Sequence, residues 1–316
     1  MNHKPKIGVS ACLLGQAVRY DGGHCRNQLV TDRLARFAEL EAFCPETGIG
    51  LPVPRPTLHL RRRQGQIRLV QTRDAAQDYT EQMQEFARLQ RSRLVQLDGF
   101  ILKKSSPSCG LERLSVEDAE TGHKVREGTG LFARFLQQNL PLLPLEEEGR
   151  LNDPHLRDGF FERVFAHHRW RSMADIQSDK AALERFHASH KLQLMARGDS
   201  YYRELGQLVA DPDRNDQAER AGRYFQRFMQ VMTLTPSRGR MVNVLQHVMG
   251  FFKQQLDAED KRELLELFEA YREQRVSLQA PLTLLRHHLR RHPHEWLAEQ
   301  HLFAPYPDHL APQGPI

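Results

Sequence analysis

Hydrophobic positions change their rhythm once along this chain. Up to about residue 140, short apolar runs alternate with amphipathic stretches. Lys6–Ala11 (KIGVSA) predicts a short strand ending at Cys12, and Gly99–Leu102 (GFIL) a buried strand running into KKSSPSCG. Brief apolar runs bounded by turn residues are strand signals. His59–Val70 predicts a hairpin turning at Gln64-Gly65, and Leu40–Phe43 an extended run into Cys44. Helical spacing predicts helices over Thr31–Leu40, about Asp74–Leu97 and about Gly130–Asn139. Strands alternating with helices argue for an α/β domain with a largely parallel sheet.

Beyond Gly159 only the helical period remains. It covers Phe160–Met173, Asp179–Ala196, Ser200–Ala210, Gln217–Leu234, Arg240–Leu256, Glu259–Gln274 and Pro281–His292. This half is expected to be all-α, and no repeat suggests a solenoid. Leu140–Gly159 combines prolines, turn residues and the acidic run Glu146–Glu148. It reads as a domain boundary, with the acidic run as solvated surface. The expected domains are residues 1–150, carrying the chemistry, and 158–316, an RNA-binding helical domain. A length of 316 residues suits two domains. Histidine supports the division, with four of the sixteen before residue 150 and twelve after.

Composition narrows the setting. The first residues lack the apolar run of an export signal, and no window reaches the apolar length of a membrane span, so a cytoplasmic protein is expected. A net charge of +5 permits an anionic partner such as RNA without requiring one. No obligate protein partner is implied. Four cysteines in such a chain are too few for a disulfide framework, which turns attention to metal or catalytic use.

Three of the cysteines share a context. Cys12 (SACLLG), Cys44 (FCPETG) and Cys109 (SSPSCG) each follow an apolar run, and Pro45, Gly48, Pro107 and Gly110 mark turns beside two of them. In a parallel sheet the carboxyl ends of the strands share one rim, where ligands bind. Three thiolates meeting there leave one iron of a [4Fe–4S] cluster without a protein ligand; they also suit zinc with one open position. Small buried thiols packing at strand ends remain the alternative. Cys25, in DGGHCRN, has no comparable strand before it and is taken as a bystander.

SACLLG, VRYDGG, FCPETG-x-G-LPVPR and KKSSPSCG, in this order, resemble the TudS (2-thiouracil desulfidase) family over about residues 4–150, and Gly128-Thr129-Gly130 fits as well. In the second half RVFAHHRW, FHASHKLQLMAR, NVLQHVMGFFK, APLTLLRHHLRRHP and FAPYP resemble the helical domain often fused behind it. That fusion is similar to the RudS proteins, which convert 4-thiouridine in tRNA to uridine. The resemblance implies Cys12, Cys44 and Cys109 as ligands of a [4Fe–4S] cluster with one iron lacking a protein ligand. It implies Glu46 and Ser105 as catalytic residues. The reaction expected is redox-neutral and hydrolytic: water adds to a thiocarbonyl carbon and sulfide leaves. Glu46 is cast as the proton carrier and Ser105 as a hydrogen-bond partner. On the residues alone, Glu46 capping a helix after Pro45 and Ser105 and Ser106 holding turn amides remain open.

The expected partner is tRNA or a thiolated nucleobase. Lys103, Lys104 and Arg61–Arg63 are candidate phosphate contacts, the arginine run being first an ordinary surface. In the helical half Arg169, Trp170, Arg171, His190, Lys191, Arg238, Arg240 and Arg286–Arg291 are candidates to grip RNA. His187 and His190, three apart, read as packing before metal binding. Two other functions stay open: a desulfidase of free thiopyrimidine bases, and a non-catalytic RNA-binding or iron–sulfur redox-sensor protein that has no need of Glu46 or Ser105. A cysteine-nucleophile hydrolase would need one cysteine and no iron.

Overall fold

The computed structural model describes residues 4–173, 175–210 and 217–311. The chain divides into two compact units, Met1–Phe160 and Phe161–Ile316.

In the first unit β1 (Lys6–Ser10), β2 (Glu39–Phe43), β5 (Gly99–Leu102) and β8 (Leu145–Glu147) form one sheet, ordered β2-β1-β5-β8. Every pairing in it is parallel, with Val9 opposite both Ala42 and Ile101. Asp98 fixes the entry to β5: its amide donates to the Lys6 carbonyl at 2.7 Å and its carboxylate accepts the Lys6 amide at 3.0 Å. Gly8 lets the strands pack, since a Cβ there would lie 2.3 Å from the Phe100 ring. Phe100 in turn meets Phe43 and Phe132 at centroid distances of 5.3 and 5.7 Å, the aromatic centre of this unit's core.

A second sheet, ordered β4-β3-β6-β7, holds β3 (Leu58–Arg63), β4 (Gln66–Gln71), β6 (Leu114–Asp118) and β7 (Lys124–Gly128). The β3/β4 hairpin turns at Gln64-Gly65, both at positive φ (51° and 74°), the turn read from the sequence. β3 and β6 run parallel, while β6/β7 is a second hairpin that the apolar pattern did not single out.

The helices of this unit are shorter than their periodicity suggested. α1 (Pro45–Gly48) is a single turn; α2 (Thr80–Leu89) and α3 (Arg91–Leu94) replace the expected helix over 74–97; α4 is Leu131–Asn139. Residues 74–79 form a turn against β4, where the Tyr79 amide bonds the Leu69 carbonyl at 2.8 Å and Asp78 accepts the Thr80 amide at the same distance. The expected helix over 31–40 is present only as short turns, a π-helical one at Leu29–Arg33 and a 3-10 one at Leu34–Arg36, and its end is the start of β2.

From the end of the first unit onward the described residues form helices joined by turns, with no strand among them: α5 (Pro154–Ser172), which begins before the boundary, α6 (Lys180–Ser189), α7 (Lys191–Arg197), α8 (Asp199–Ala210), α9 (Gln217–Met232), α10 (Arg238–Gly250), α11 (Ala258–Arg272), α12 (Gln279–Arg291) and α13 (Glu295–Ala298). The expected helix over 179–196 breaks at His190. Its ring Nδ1 donates to the Phe186 carbonyl at 2.7 Å, so its own amide shifts to the His187 carbonyl at 3.3 Å. A side chain that takes its own i−4 acceptor ends the helical ladder there.

Several histidines in this unit are buried. Burial, followed by Lys191, pushes His187 down to about 4; burial and Arg169 push His301 down to about 3 and His190 in the same direction. His190 Nε2 accepts from Arg169 Nε at 3.3 Å, consistent with a neutral ring. Below about pH 6.5 the unfolded chain therefore binds protons that the folded unit refuses, and stability must fall with pH. For His187, lowered from the usual 6.5 to about 4, the expected cost is on the order of 2 kcal/mol by pH 5. Both tryptophans lie in this unit, so tryptophan fluorescence reports it alone. Its melting temperature should drop steadily from pH 7 to pH 5; a flat profile contradicts the buried neutral rings.

Candidate functional site

The parallel sheet sends the carboxyl ends of β1, β2 and β5 to one edge. Cys12 lies two residues past β1, Cys44 directly past β2 as the residue preceding α1, and Cys109 in the loop after β5. All three line a single cavity of about 380 Å³, together with Ser10, Glu46, Arg55, Tyr20, Lys103 and Ser105. Cys12 and Cys109 are buried, Cys44 is half-buried, and all are free thiols. Cys25 is absent from the lining; Arg19 Nη1 donates to its sulfur.

The loop after β5 is fastened at both ends by the acidic run expected to be solvated. Glu147 is buried, and its carboxylate accepts the Leu111 amide at 2.7 Å. Glu148 accepts the Lys104 amide at 2.6 Å and pairs with the Lys103 ammonium. Glu146, also buried, pairs with Arg150 at 2.7 Å. The run is internal because the backbone donors of the cysteine loop need these acceptors. Within the loop, Ser106 Oγ accepts the amides of Ser108 and Cys109 at 3.2 and 3.1 Å, a turn-holding role. Gly130 presses against it so closely that a Cβ would stand 2.5 Å from the Ser108 carbonyl oxygen.

Glu46 does not cap α1. Its Oε2 takes Arg55 Nε and Nη2 at 2.8 and 2.7 Å, and its Oε1 takes the Ser108 hydroxyl at 2.9 Å. Arg55, itself buried, also donates to the Val18 carbonyl at 2.9 Å, tying the VRYDGG loop to this carboxylate. Neither Arg55 nor Ser108 was singled out from the sequence. The signal for Arg55 was an arginine set among the prolines of LPVPRP; Ser108 had none beyond adjacency to Cys109. Ser105 stands on the cavity wall at φ 61°, and its hydroxyl has no hydrogen-bond partner among the described residues. A serine held left-handed at a cavity is the kind of strain that collects at functional sites.

The electrostatics suit a thiophilic group. Burial and the Cys25 thiol push Cys12 up to about 11, with Lys103 opposing. Burial likewise raises the Cys109 thiol, against the Ser10 hydroxyl that bonds it. Such thiols stay protonated without metal, and a metal charge replaces those protons on binding. Among the described residues no three His, Cys, Asp or Glu side chains gather closely enough to share one ion. Sulfurs spread around one cavity fit a multi-iron cluster better, because each iron takes its own thiolate. Cys12, Cys44 and Cys109 are therefore the residues that could hold an iron–sulfur group.

The other candidates scatter. Arg61 and Arg62 face Glu117 and Glu127 across the second sheet. In the helical unit Trp170 is buried in a stack with Phe225, centroids 4.4 Å apart, and His190 is fully buried. Arg169 donates to the Pro305 carbonyl, Arg238 to that of Tyr271 and Arg240 to that of Arg197; Arg286 pairs with Asp308 at 3.0 Å. Lys191, Arg290 and Arg291 have no carboxylate partner among the described residues. His187 Nδ1 meets the Tyr224 hydroxyl at 3.1 Å, a packing role. Among the described residues no helix is long and apolar enough to cross a membrane.

Comparison with known proteins matches residues 7–148 to the family described as 2-thiouracil desulfurase, and residues 191–307 to a protein family of unknown function, DUF1722. The uncharacterized protein YbgA of Escherichia coli (strain K12) is 30% identical over 161 residues, which span 50% of this chain and 94% of that protein. A solved structure titled [4Fe-4S]-dependent thiouracil desulfidase TudS is 33% identical, covers 47% of this chain and 94% of its own, and superposes with a TM-score of 0.37. The chain joins a region matching the 2-thiouracil desulfurase family, residues 7–148, to one matching DUF1722, residues 191–307, and belongs to one family with YbgA.

Proposed function

We propose that this protein is an iron–sulfur desulfidase that converts 4-thiouridine in tRNA to uridine, with release of sulfide. The observation that carries the reading is the convergence of three free cysteines and one anchored carboxylate on a single cavity. Membership in the desulfurase family and the helical DUF1722 unit support it.

Cys12, Cys44 and Cys109 would hold the cluster. When bound, it supplies a soft Lewis-acidic iron, left without a protein ligand by the three cysteines, for the thiocarbonyl sulfur. The chain's own groups do the rest. Tyr20, 44% exposed on the cavity wall, offers a ring face to a pyrimidine. Glu46 accepts a proton from the attacking water, and the Arg55 and Ser108 contacts hold its carboxylate in one orientation. Ser105 Oγ, with no intramolecular partner among the described residues, is available to the water or to the base carbonyl. Atoms and electrons balance without an oxidant: water supplies oxygen to the carbon, the C–S bond breaks, and sulfide leaves with the protons. A sensor requires neither this carboxylate nor its anchors.

Anaerobic reconstitution with iron and sulfide, followed by mass spectrometry of thiolated tRNA, tests the reading. 4-Thiouridine should become uridine, and Cys109→Ala should abolish both cluster absorbance and conversion. Consumption of free 2-thiouracil alone, with tRNA untouched, would shift the assignment to a free-base desulfidase. Glu46→Gln should lower kcat by about 10²- to 10⁴-fold with cluster absorbance intact. Arg55→Ala should lower kcat by about 10- to 100-fold, a part of that loss, because Glu46 remains but is no longer held. Cluster loss in Arg55→Ala would instead make Arg55 a scaffold residue.

A further inference from the structure

Filtering the basic residues of the helical unit leaves a strip where cations and ring faces meet. The Lys191 ammonium, at the start of α7, stands 5.4 Å from the ring centroids of both Tyr202 and Trp296. Behind Tyr202 lies the His187 ring, stacked 4.9 Å away and only 5° from coplanar. Trp296 stacks on Phe251 at 5.3 Å and 21°. Lys191, Tyr202, Phe251 and Trp296 are all half-exposed, so the strip lies at the rim of the core and not inside it. His187, pushed down to about 4, is a neutral ring at physiological pH and stacks as an aromatic.

The sequence leading up to Trp296 is basic. Arg290, Arg291 and His292 immediately precede the turn into α13, which carries Trp296, and none of them has a carboxylate partner among the described residues. Glu295, on this short helix, and Glu299, just past its end, are exposed and are opposing charges. A row of ring faces beside cations is the composition that single-stranded nucleic acid uses: bases stack on the rings while ammonium and guanidinium groups take the phosphates. Among the described residues Lys191 has no carboxylate partner to hold it over the rings. Its four-carbon stem lets the ammonium move to a phosphate while a base takes its place.

We propose that Lys191, Tyr202 and Trp296 form a stacking platform for an unpaired base of RNA, flanked by Arg290 and Arg291 as phosphate contacts. This inference rests on the reading that the substrate is tRNA. It goes further by naming the surface and the single-stranded form that the surface takes.

The test uses the full reconstituted chain, a labelled tRNA transcript, and a fully paired RNA duplex of equal length. In the parent, the transcript should quench tryptophan fluorescence and bind more tightly than the duplex. Trp296→Leu, which keeps apolar packing but removes the indole face, should abolish the quenching. It should weaken transcript binding by about 5- to 150-fold, the equivalent of the stacking of one base. Lys191→Gln, a surface change with little effect on packing, should weaken it by a smaller factor. Turnover of free 2-thiouracil should be unchanged in both. Transcript binding with no quenching and unaltered affinity in Trp296→Leu overturns the platform and leaves the RNA substrate standing. Failure of the parent to bind RNA at all overturns the platform and the RNA reading together.

Discussion

Parallel pairing of β1 with β2 and β5 is the constraint on which the site depends. Each strand leaves the sheet at the same edge, so residues 12, 44 and 109 need only short excursions to meet. A parallel sheet alone would deliver loose loops. What turns the edge into a site is the set of long-range polar contacts that pin them: Glu147 and Glu148 on the loop after β5, Ser10 on the Lys103 amide at 2.9 Å, and Arg55 between Glu46 and Val18. All but the Ser10 contact are charge-assisted bonds in partly buried surroundings, where such contacts are strong and position the groups they join. The buried thiols gain less from the protein, the Ser10 hydroxyl at Cys109 and the Lys103 charge near Cys12. They are raised by burial, a cost that makes sense where a metal group displaces their protons and takes their place on sulfur.

Much of this was legible locally. β1, β5 and the β3/β4 hairpin announced themselves because each is a continuous run with turn residues at its end. The three cysteines could be grouped because each follows such a run. The four ordered motifs then supplied what spacing could not, the proposal of catalytic roles for Glu46 and Ser105.

The rest failed for physical reasons. Glu146–Glu148 looked solvated because a carboxylate run is usually surface, and the amides it bonds are 36 and 44 positions away in the chain. Arg55 and Ser108 acquire meaning only through a carboxylate they meet in space. β6 and β7 alternate LSVED with KVREG around the positive-φ Gly122, a half-buried hairpin whose polar face hid its period. In the helical unit the helical period could not reveal that His190 would break a helix with its own side chain. Nor could it separate the internal Trp170 and His190 from the half-exposed Lys191 and Trp296, since sequence neighbours on one helix differ in burial only after packing.

The central claim is that Cys12, Cys44 and Cys109 share one iron–sulfur cluster while Cys25 stands outside it. Iron and sulfide content, with the visible spectrum, should be measured on anaerobically reconstituted parent and on four single Cys→Ala variants. About four irons per chain are expected in the parent and in Cys25→Ala, with loss of both metal and absorbance in each of the other three. Full iron content in Cys44→Ala, or its loss in Cys25→Ala, would contradict the assignment.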